Sequence, residues 1–340
     1  MRLLSRSTAT AAALFTLCTA PAHALNIVLC NDDGITAANV RALKQKLVGA
    51  GHKVILTGPI DNQSGSGGFV RFLQPIPALL GTERGARALS LPAGSPGVGV
   101  DPTDPAVYYV NGTPVMACLY GIDVKAPRVF GRAPDLVISG PNEGNNTGHI
   151  NNSSGTFNAM LYAVNRKLPA MAVSDATTTQ VSWSPSLAPT SRPFEVADIV
   201  VKIVENLSRQ RLGDKGALLP EDLGLNVNVP DFAAGAGISL PLKVTRIGFA
   251  TAFAPAFFER LSDSPLAVAS GVNLPLPGIS LAPGGTTLPS GTVMPSDTSE
   301  RSEANVITTK AAVTVTPVQG VPEATGLFLS RMREGLNAHQ

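Results

Sequence analysis

The stretch Leu25-Asn-Ile-Val-Leu-Cys-Asn-Asp-Asp-Gly34 decides the fold. Its apolar run, Ile27-Val28-Leu29-Cys30, has the length and residue types of a buried strand. The run stops at Asn31, Asp32, Asp33 and Gly34. Two adjacent carboxylates at the end of a buried strand are costly unless a cation or hydrogen-bond donors receive them. Gly34 suits a tight turn. Val40, Leu43, Leu47 and Val48 follow at the spacing of one helical face, with Thr36 as the expected N-cap. The next strand is Val54-Ile55-Leu56. The result is a β-α-β unit with the acidic pair at the carboxyl end of its first strand, where open α/β sheets hold ligands. A solvated turn is the plainer reading of Asp-Asp-Gly, and the position after a buried strand sets a functional reading beside it.

The residues before this unit read as a removable leader. Arg2 and Arg6 open the chain, an apolar run covers Ala11 to Leu17, and Ala22-His23-Ala24 has the small-x-small form of a cleavage site. The expectation is a signal peptide over 1–24 and an exported, periplasmic or secreted, protein. The apolar run is too short to span a bilayer, and no later stretch is long and apolar enough, so no membrane partner is expected. The full chain has 26 Lys+Arg against 24 Asp+Glu, and losing Arg2 and Arg6 leaves 24 against 24. A neutral chain without a basic stripe gives no reason to expect a nucleic-acid duplex as partner. Cys30 and Cys118 remain after cleavage. A disulfide is open to them in an oxidising compartment, but their apolar settings favour two buried free thiols. Charged residues make up only 15%, while Gly (33) and Pro (28) are abundant, which points to long ordered loops on one sizeable core.

Two further polar loops follow strands. Asp61-Asn-Gln-Ser-Gly-Ser-Gly-Gly68 comes after the second strand and reads either as a flexible turn or as a loop presenting Ser64 and backbone N–H groups to an anion or metal. It lacks the Lys and spacing of a P-loop. Gly81 to Pro105 reads as an inserted surface loop, Val107 to Val110 as a strand, and Thr113-Pro114 as a helix start, with Cys118 and Leu119 in the core. The strand Asp135 to Ser139 then delivers Gly140 to Ser153, with His149 placed to reach the site. Ser154-Gly-Thr156 opens a helix over Phe157 to Lys167. Its free N–H groups, hydroxyls and dipole suit a phosphate, although an ordinary N-cap would look the same. Leu168–Ser174, Leu225–Pro230, Leu242–Ala250 and Ala311–Pro317 read as strands, and Arg192 to Arg209 as an amphipathic helix. Ser262 to Ser299 reads as an extended hairpin or arm and Glu323 to Leu336 as a terminal helix, while His52 and His339 are expected at the surface.

Carboxylates, a hydroxyl and an amide without His or Cys suit Mg²⁺, Mn²⁺ or Ca²⁺, and such a cation beside a phosphate seat suggests metal-assisted phosphoester hydrolysis. A serine hydrolase is disfavoured, because no Gly-x-Ser-x-Gly elbow is present. The set Asn31-Asp-Asp-Gly-Ile35, Ser64-Gly65, Asn111-Gly-Thr-Pro114, Pro134 to Gly144, Ser154-Gly-Thr156, Leu225 to Pro230 and Val315-Thr-Pro317 resembles the survival protein SurE family of metal-dependent 5′/3′-nucleotidases and acid phosphatases. The motifs stand in the family's order across most of the mature chain. The resemblance implies an α/β fold: a Rossmann-like three-layer αβα core over 25–250, and over 251–340 a C-terminal arm, late strand and helix that serve oligomerisation. It further implies a homodimer or homotetramer acting on a nucleoside monophosphate or another small phosphomonoester.

Carried over by position, the resemblance implies metal ligation by Asp32, Asp33, Ser64 and Asn142, and substrate binding by Asn31, Asn142, Ser154, Gly155 and Thr156. Asp32 and Asp33 are the expected catalytic residues. The chain departs from the family before Ser154, where His149, Ile150, Asn151, Asn152 and Ser153 replace the usual Asp and Tyr residues. Water attacking phosphorus in line is the expected route, with Asp32 as a nucleophile the rival. A secreted protein that binds metal and phosphate without turnover is the alternative from another class.

Overall fold

The computed structural model describes residues 24–321, apart from 178, 251, 252, 289 and 297, together with Met332. The expected signal peptide, the terminal helix Glu323–Leu336 and His339 lie outside the described residues, save Ala24 and Met332.

The chain runs β1 (Asn26–Cys30), α1 (Ala38–Gly49), β2 (Lys53–Pro59), α2 (Arg84–Ala88), β3 (Val98–Asp101) and β4 (Asp104–Val110). It continues through α3 (Pro114–Leu119), α4 (Ala126–Phe130), β5 (Leu136–Glu143), α5 (Gly155–Val164), β6 (Ala170–Asp175) and α6 (Arg192–Gln210). Then come β7 (Leu223–Val229), β8 (Leu242–Val244), β9 (Phe253–Phe258), α7 (Pro265–Ala269), β10 (Gly278–Pro283), α8 (Glu303–Thr308) and β11 (Val313–Gln319).

Nine strands form one sheet in the order β3-β4-β2-β1-β5-β6-β7-β11-β8, parallel from β4 to β7. β1 pairs with both β2 and β5, so the order reverses beside it. The alternation of β1 sorts the two layers. Ile27 and Leu29 enter the core packed by α1 and α6, while Val28 and Cys30 enter the core packed by α3 and α5. This is the expected three-layer α/β arrangement. β11 follows the arm in sequence yet returns to the main sheet, antiparallel to β7. The arm is the antiparallel pair β9–β10 with α7 between its strands, and Ala254, Ala256, Phe258, Ala282 and Met294 form its own small core.

Several expectations are corrected. Cys30 and Cys118 are not free thiols; they form a buried disulfide, with Cα atoms 5.4 Å apart, because β1 and α3 face each other across one layer. His52 is buried, since its Nδ1 accepts from the Leu25 N–H where the chain enters β1. The N-cap of α1 is Ala37, with no side-chain cap, and Thr36 stays outside the helix. Val48 is 49% exposed, rotated off the face that buries Val40, Leu43 and Leu47. The strand expected over Leu242–Ala250 is confined to Leu242–Val244. Gly81–Pro105 is not all loop: it holds α2, β3 and the start of β4. The short helix α8 had no counterpart in the sequence reading.

Candidate active site

The acidic pair sits at the carboxyl end of β1, at the reversal of strand order where α/β sheets leave a crevice. Gly34 makes the exit turn with φ +102°, and a Cβ there would stand 3.1 Å from the Asp61 backbone. Only glycine fits both the angle and the space. Asn31 is buried, and its Nδ2 donates to Gly34 O at 2.9 Å. It braces the turn, and its Oδ1 is buried without a partner.

Asp32 is buried against the start of α5. The Thr156 hydroxyl donates to Asp32 Oδ1 at 2.7 Å and the Thr156 N–H to Oδ2 at 3.2 Å. Ser154 caps this helix, accepting from the Phe157 N–H at 3.0 Å. Gly155 lets the two segments approach, since a Cβ there would lie 3.0 Å from Asp32 Cβ and 2.6 Å from Pro114 Cγ. Burial raises the Asp32 carboxyl above its usual range, and the Thr156 bonds oppose the rise. Asp33 accepts from the Glu143 N–H at 2.9 Å through Oδ2, while its Oδ1 is buried without a partner. Its carboxyl is pushed well above the usual range, first by burial, then by the Asp32 charge.

Asn142 arrives on β5, just after a register shift between Ser139 and Asn142. Its Nδ2 donates to Gly144 O at 2.5 Å, which leaves Oδ1 as its remaining acceptor. The loop carrying Ser64 is drawn in from both sides: Gln63 N–H donates to Asp32 O at 2.8 Å and Gly67 N–H to Ser153 O at 3.0 Å. Ser64 itself is exposed, its N–H bound to Asn62 Oδ1. The structure thus brings together Asn31, Asp32, Asp33, Asn142, Ser154, Gly155 and Thr156, with Ser64 on the rim. His149 is in the turn 148–152, its Nε2 buried without a partner.

An orphaned carboxylate oxygen beside a second carboxylate fits a hard divalent cation. Among the described residues no three His, Cys, Asp or Glu side chains are grouped to hold a metal. A cation here would therefore take two carboxylates and otherwise neutral oxygens or water, as Mg²⁺ does.

Three supporting residues escaped the sequence reading. Glu143 faces the pair through both its backbone N–H and its charge. Asp175, fully buried, pairs with Arg192 and accepts the Gly144 N–H on its backbone carbonyl. Glu303 reaches the turn 148–151 from α8. Glu143 lies within the Pro134 to Gly144 motif, but nothing local marks its contact, and Asp175 and Glu303 stand in no motif.

Residues 27–253 match the profile of the survival protein SurE family. An acid phosphatase from Yarrowia lipolytica is 36% identical over 206 residues, which is 60% of this chain and 56% of that protein. The match thus spans just over half of that relative's length. A 5′-nucleotidase SurE from Gloeobacter violaceus is 32% identical over 224 residues, 66% of this chain and 70% of that one. Among solved structures, the SurE protein from Aquifex aeolicus shares the fold, with a TM-score of 0.60 at 23% identity over 92% of this chain and 99% of that one.

Proposed function

The chain belongs to the survival protein SurE family, and from that membership and the geometry of the site we propose that it is a metal-dependent phosphomonoesterase acting on nucleoside 5′- or 3′-monophosphates. The observation that carries this reading is the contact of Thr156 with Asp32, which sets a helix N-terminus against an acidic pair. Asp32 and Asp33 would hold Mg²⁺ or Mn²⁺, with Ca²⁺ the third candidate, and Asn142 and Ser64 offer neutral oxygens beside them. When bound, the cation supplies positive charge against a phosphate oxygen and lowers the pKa of water. The start of α5 at Ser154 to Thr156 offers a terminal phosphate the positive end of the helix dipole and the Ser154 hydroxyl. Asn31 keeps the acidic turn in shape. A phosphodiester offers one free oxygen fewer and a second bulky group, so monoesters are favoured.

The test is turnover of nucleoside monophosphates and of a cyclic diester by the mature protein, with chelator, Mn²⁺, Mg²⁺ and Ca²⁺. Metal-dependent monoester hydrolysis is expected. Equal or better diester turnover overturns the substrate class. Metal-linked stabilisation without any turnover favours the second reading, a binding protein, which the turn 149–153 motivates by carrying neither carboxylate nor tyrosine.

Export after cleavage near Ala24 belongs to the same proposal. The buried Cys30–Cys118 disulfide supports it, because such bonds persist in oxidising compartments. N-terminal sequencing of the functional protein checks it, and finding Met1 overturns it. Self-association as a dimer or tetramer is supported by the apolar outer face of the arm, where Phe257 and Ile279 are exposed. A sedimentation measurement decides it.

A further inference from the structure

Glu303 is a fully buried carboxylate that the chemistry above does not use. It lies at the start of α8, after the arm, and some 150 residues from the turn it meets. Its Oε1 accepts from the Gly148 N–H at 3.0 Å and from Asn151 Nδ2 at 3.3 Å. Asn226 Nδ2 on β7 donates to both oxygens, at 3.2 and 3.0 Å, and the Thr316 hydroxyl on β11 donates to Oε2 at 2.9 Å. A buried charge without compensation is costly, and here four neutral groups from three separate elements offset it.

The contacts continue to the site. The Asn151 carbonyl accepts from the Ser154 N–H at 3.2 Å and from Asn158 Nδ2 on α5 at 3.1 Å. The Ser153 carbonyl accepts from Gly67 in the Ser64 loop. Two residues beyond Ser154, Thr156 grips Asp32. Asn146, at the other side of the turn, is held in parallel by Asn226, Asn228 and Ser174.

We propose that Glu303 is a positioning residue for the phosphate seat: from the segment behind the arm it fixes the turn 148–153, and through that turn Ser154 to Thr156. This rests on the reading of the seat as an anion site. It makes the seat depend on docking of residues 302–319, which lie beyond the stretch that matches the family profile. Burial pushes the Glu303 carboxyl up to about 8, and its hydrogen bonds from Thr316, Gly148, Asn226 and Asn151 pull the other way.

The test compares wild type with E303Q and E303A. Binding of inorganic phosphate is measured by calorimetry, and turnover of p-nitrophenyl phosphate is measured with Mn²⁺. Melting curves and amide exchange at Gly148 and Ser154 accompany them. E303Q is isosteric and keeps one acceptor, so it is expected to fold, to weaken phosphate binding about fivefold or more, and to raise KM more than it lowers kcat. Misplacement of a binding group by about 1 Å is enough for losses of up to about a hundredfold, the level expected of E303A. Exchange at Gly148 and Ser154 should accelerate while that at Val28 on β1 does not. If the folded variants bind phosphate as wild type does, the proposal falls, whatever the turnover. If E303A does not fold, E303Q decides. If wild type binds phosphate but turns nothing over, the phosphatase reading fails and the phosphate affinities still decide the role of Glu303. If wild type binds no phosphate, the seat is not an anion site and both readings fall.

Discussion

Thr156 holds Asp32 twice, its hydroxyl on Oδ1 at 2.7 Å and its N–H on Oδ2 at 3.2 Å. A carboxylate held at both oxygens has lost its rotational freedom, which is what a ligand or catalytic group needs. Thr156→Val keeps the shape and the N–H but removes the hydroxyl. It should cost about 1–3 kcal/mol of stability, because a buried acceptor loses its partner, and should lower kcat/KM about tenfold or more. Thr156→Ser should recover most of the activity. Melting curves and phosphatase kinetics on both variants check this, and equal loss in Val and Ser would show that the hydroxyl is not what matters.

Asp33→Asn should abolish most activity while raising stability in the presence of chelator. The folded-state pKa of Asp33 lies well above its usual 3.8. The unfolded chain therefore ionises first as pH rises, and the folded state loses ground at neutral pH. A neutral amide at this position removes that penalty, so the variant should gain stability in chelator. An Asn oxygen can still accept the Glu143 N–H. Adding Mn²⁺ or Mg²⁺ should then stabilise wild type more than the variant, since tighter binding to the native state stabilises it more. Wild-type activity and an unchanged metal shift would mean that Asp33 only braces the turn through the Glu143 N–H.

The Cys30–Cys118 bond closes a loop with a sequence separation of 88 residues. Removing a native disulfide costs about 2–5 kcal/mol, more for longer loops. The pair C30A/C118A should therefore melt well below the oxidised wild type, and reductant should lower the wild-type melting point but not the variant's. Thiol titration of the denatured mature protein should find no free cysteine. Two titratable thiols would refute the bond.

Glu303 predicts a pH dependence of stability. Its folded value is about 8 against an ordinary 4.5. A carboxyl raised in the folded state contributes stability that is fully present below 4.5 and is lost as pH rises through about 8. The groups facing its carboxyl are the neutral Gly148 N–H, Asn151, Asn226 and Thr316. Among titratable or charged side chains, His149 lies next to Gly148 in the turn, and Arg246 meets the Glu303 N–H through its backbone carbonyl. Chemical denaturation of wild type between pH 4.5 and 8 should show a falling limb of a few kcal/mol, and E303Q should flatten it. A limb unchanged in E303Q assigns the titration to other groups.

The alternation within Ile27–Cys30, the carboxylates that end it and the Ser-Gly-Thr helix start are local features. A buried parallel strand, its exit turn and a capped helix each follow from neighbouring residues alone. The placement of Asp32 and Asp33 at a strand end and of Ser154 to Thr156 at a helix start was therefore legible from the sequence, as was the α/β architecture, while Asn142 came only with the family resemblance. Contacts between distant segments were not. The apolar setting of Cys30 and Cys118 marks burial equally well for two thiols or a bond, and only the stacking of α3 on β1 decides between them. His52 looks like a polar surface residue until the Leu25 N–H is laid beside it. Glu303 stands in a Ser- and Thr-rich stretch without periodicity, where a charge is ordinarily solvated. The return of β11 to the sheet is what buries α8 and turns that charge toward the turn 148–151. The sequence by itself determined the strand ends that carry the site. Tertiary structure decided what braces them, because a buried carboxylate acquires its partners from elements that meet only once the sheet is complete.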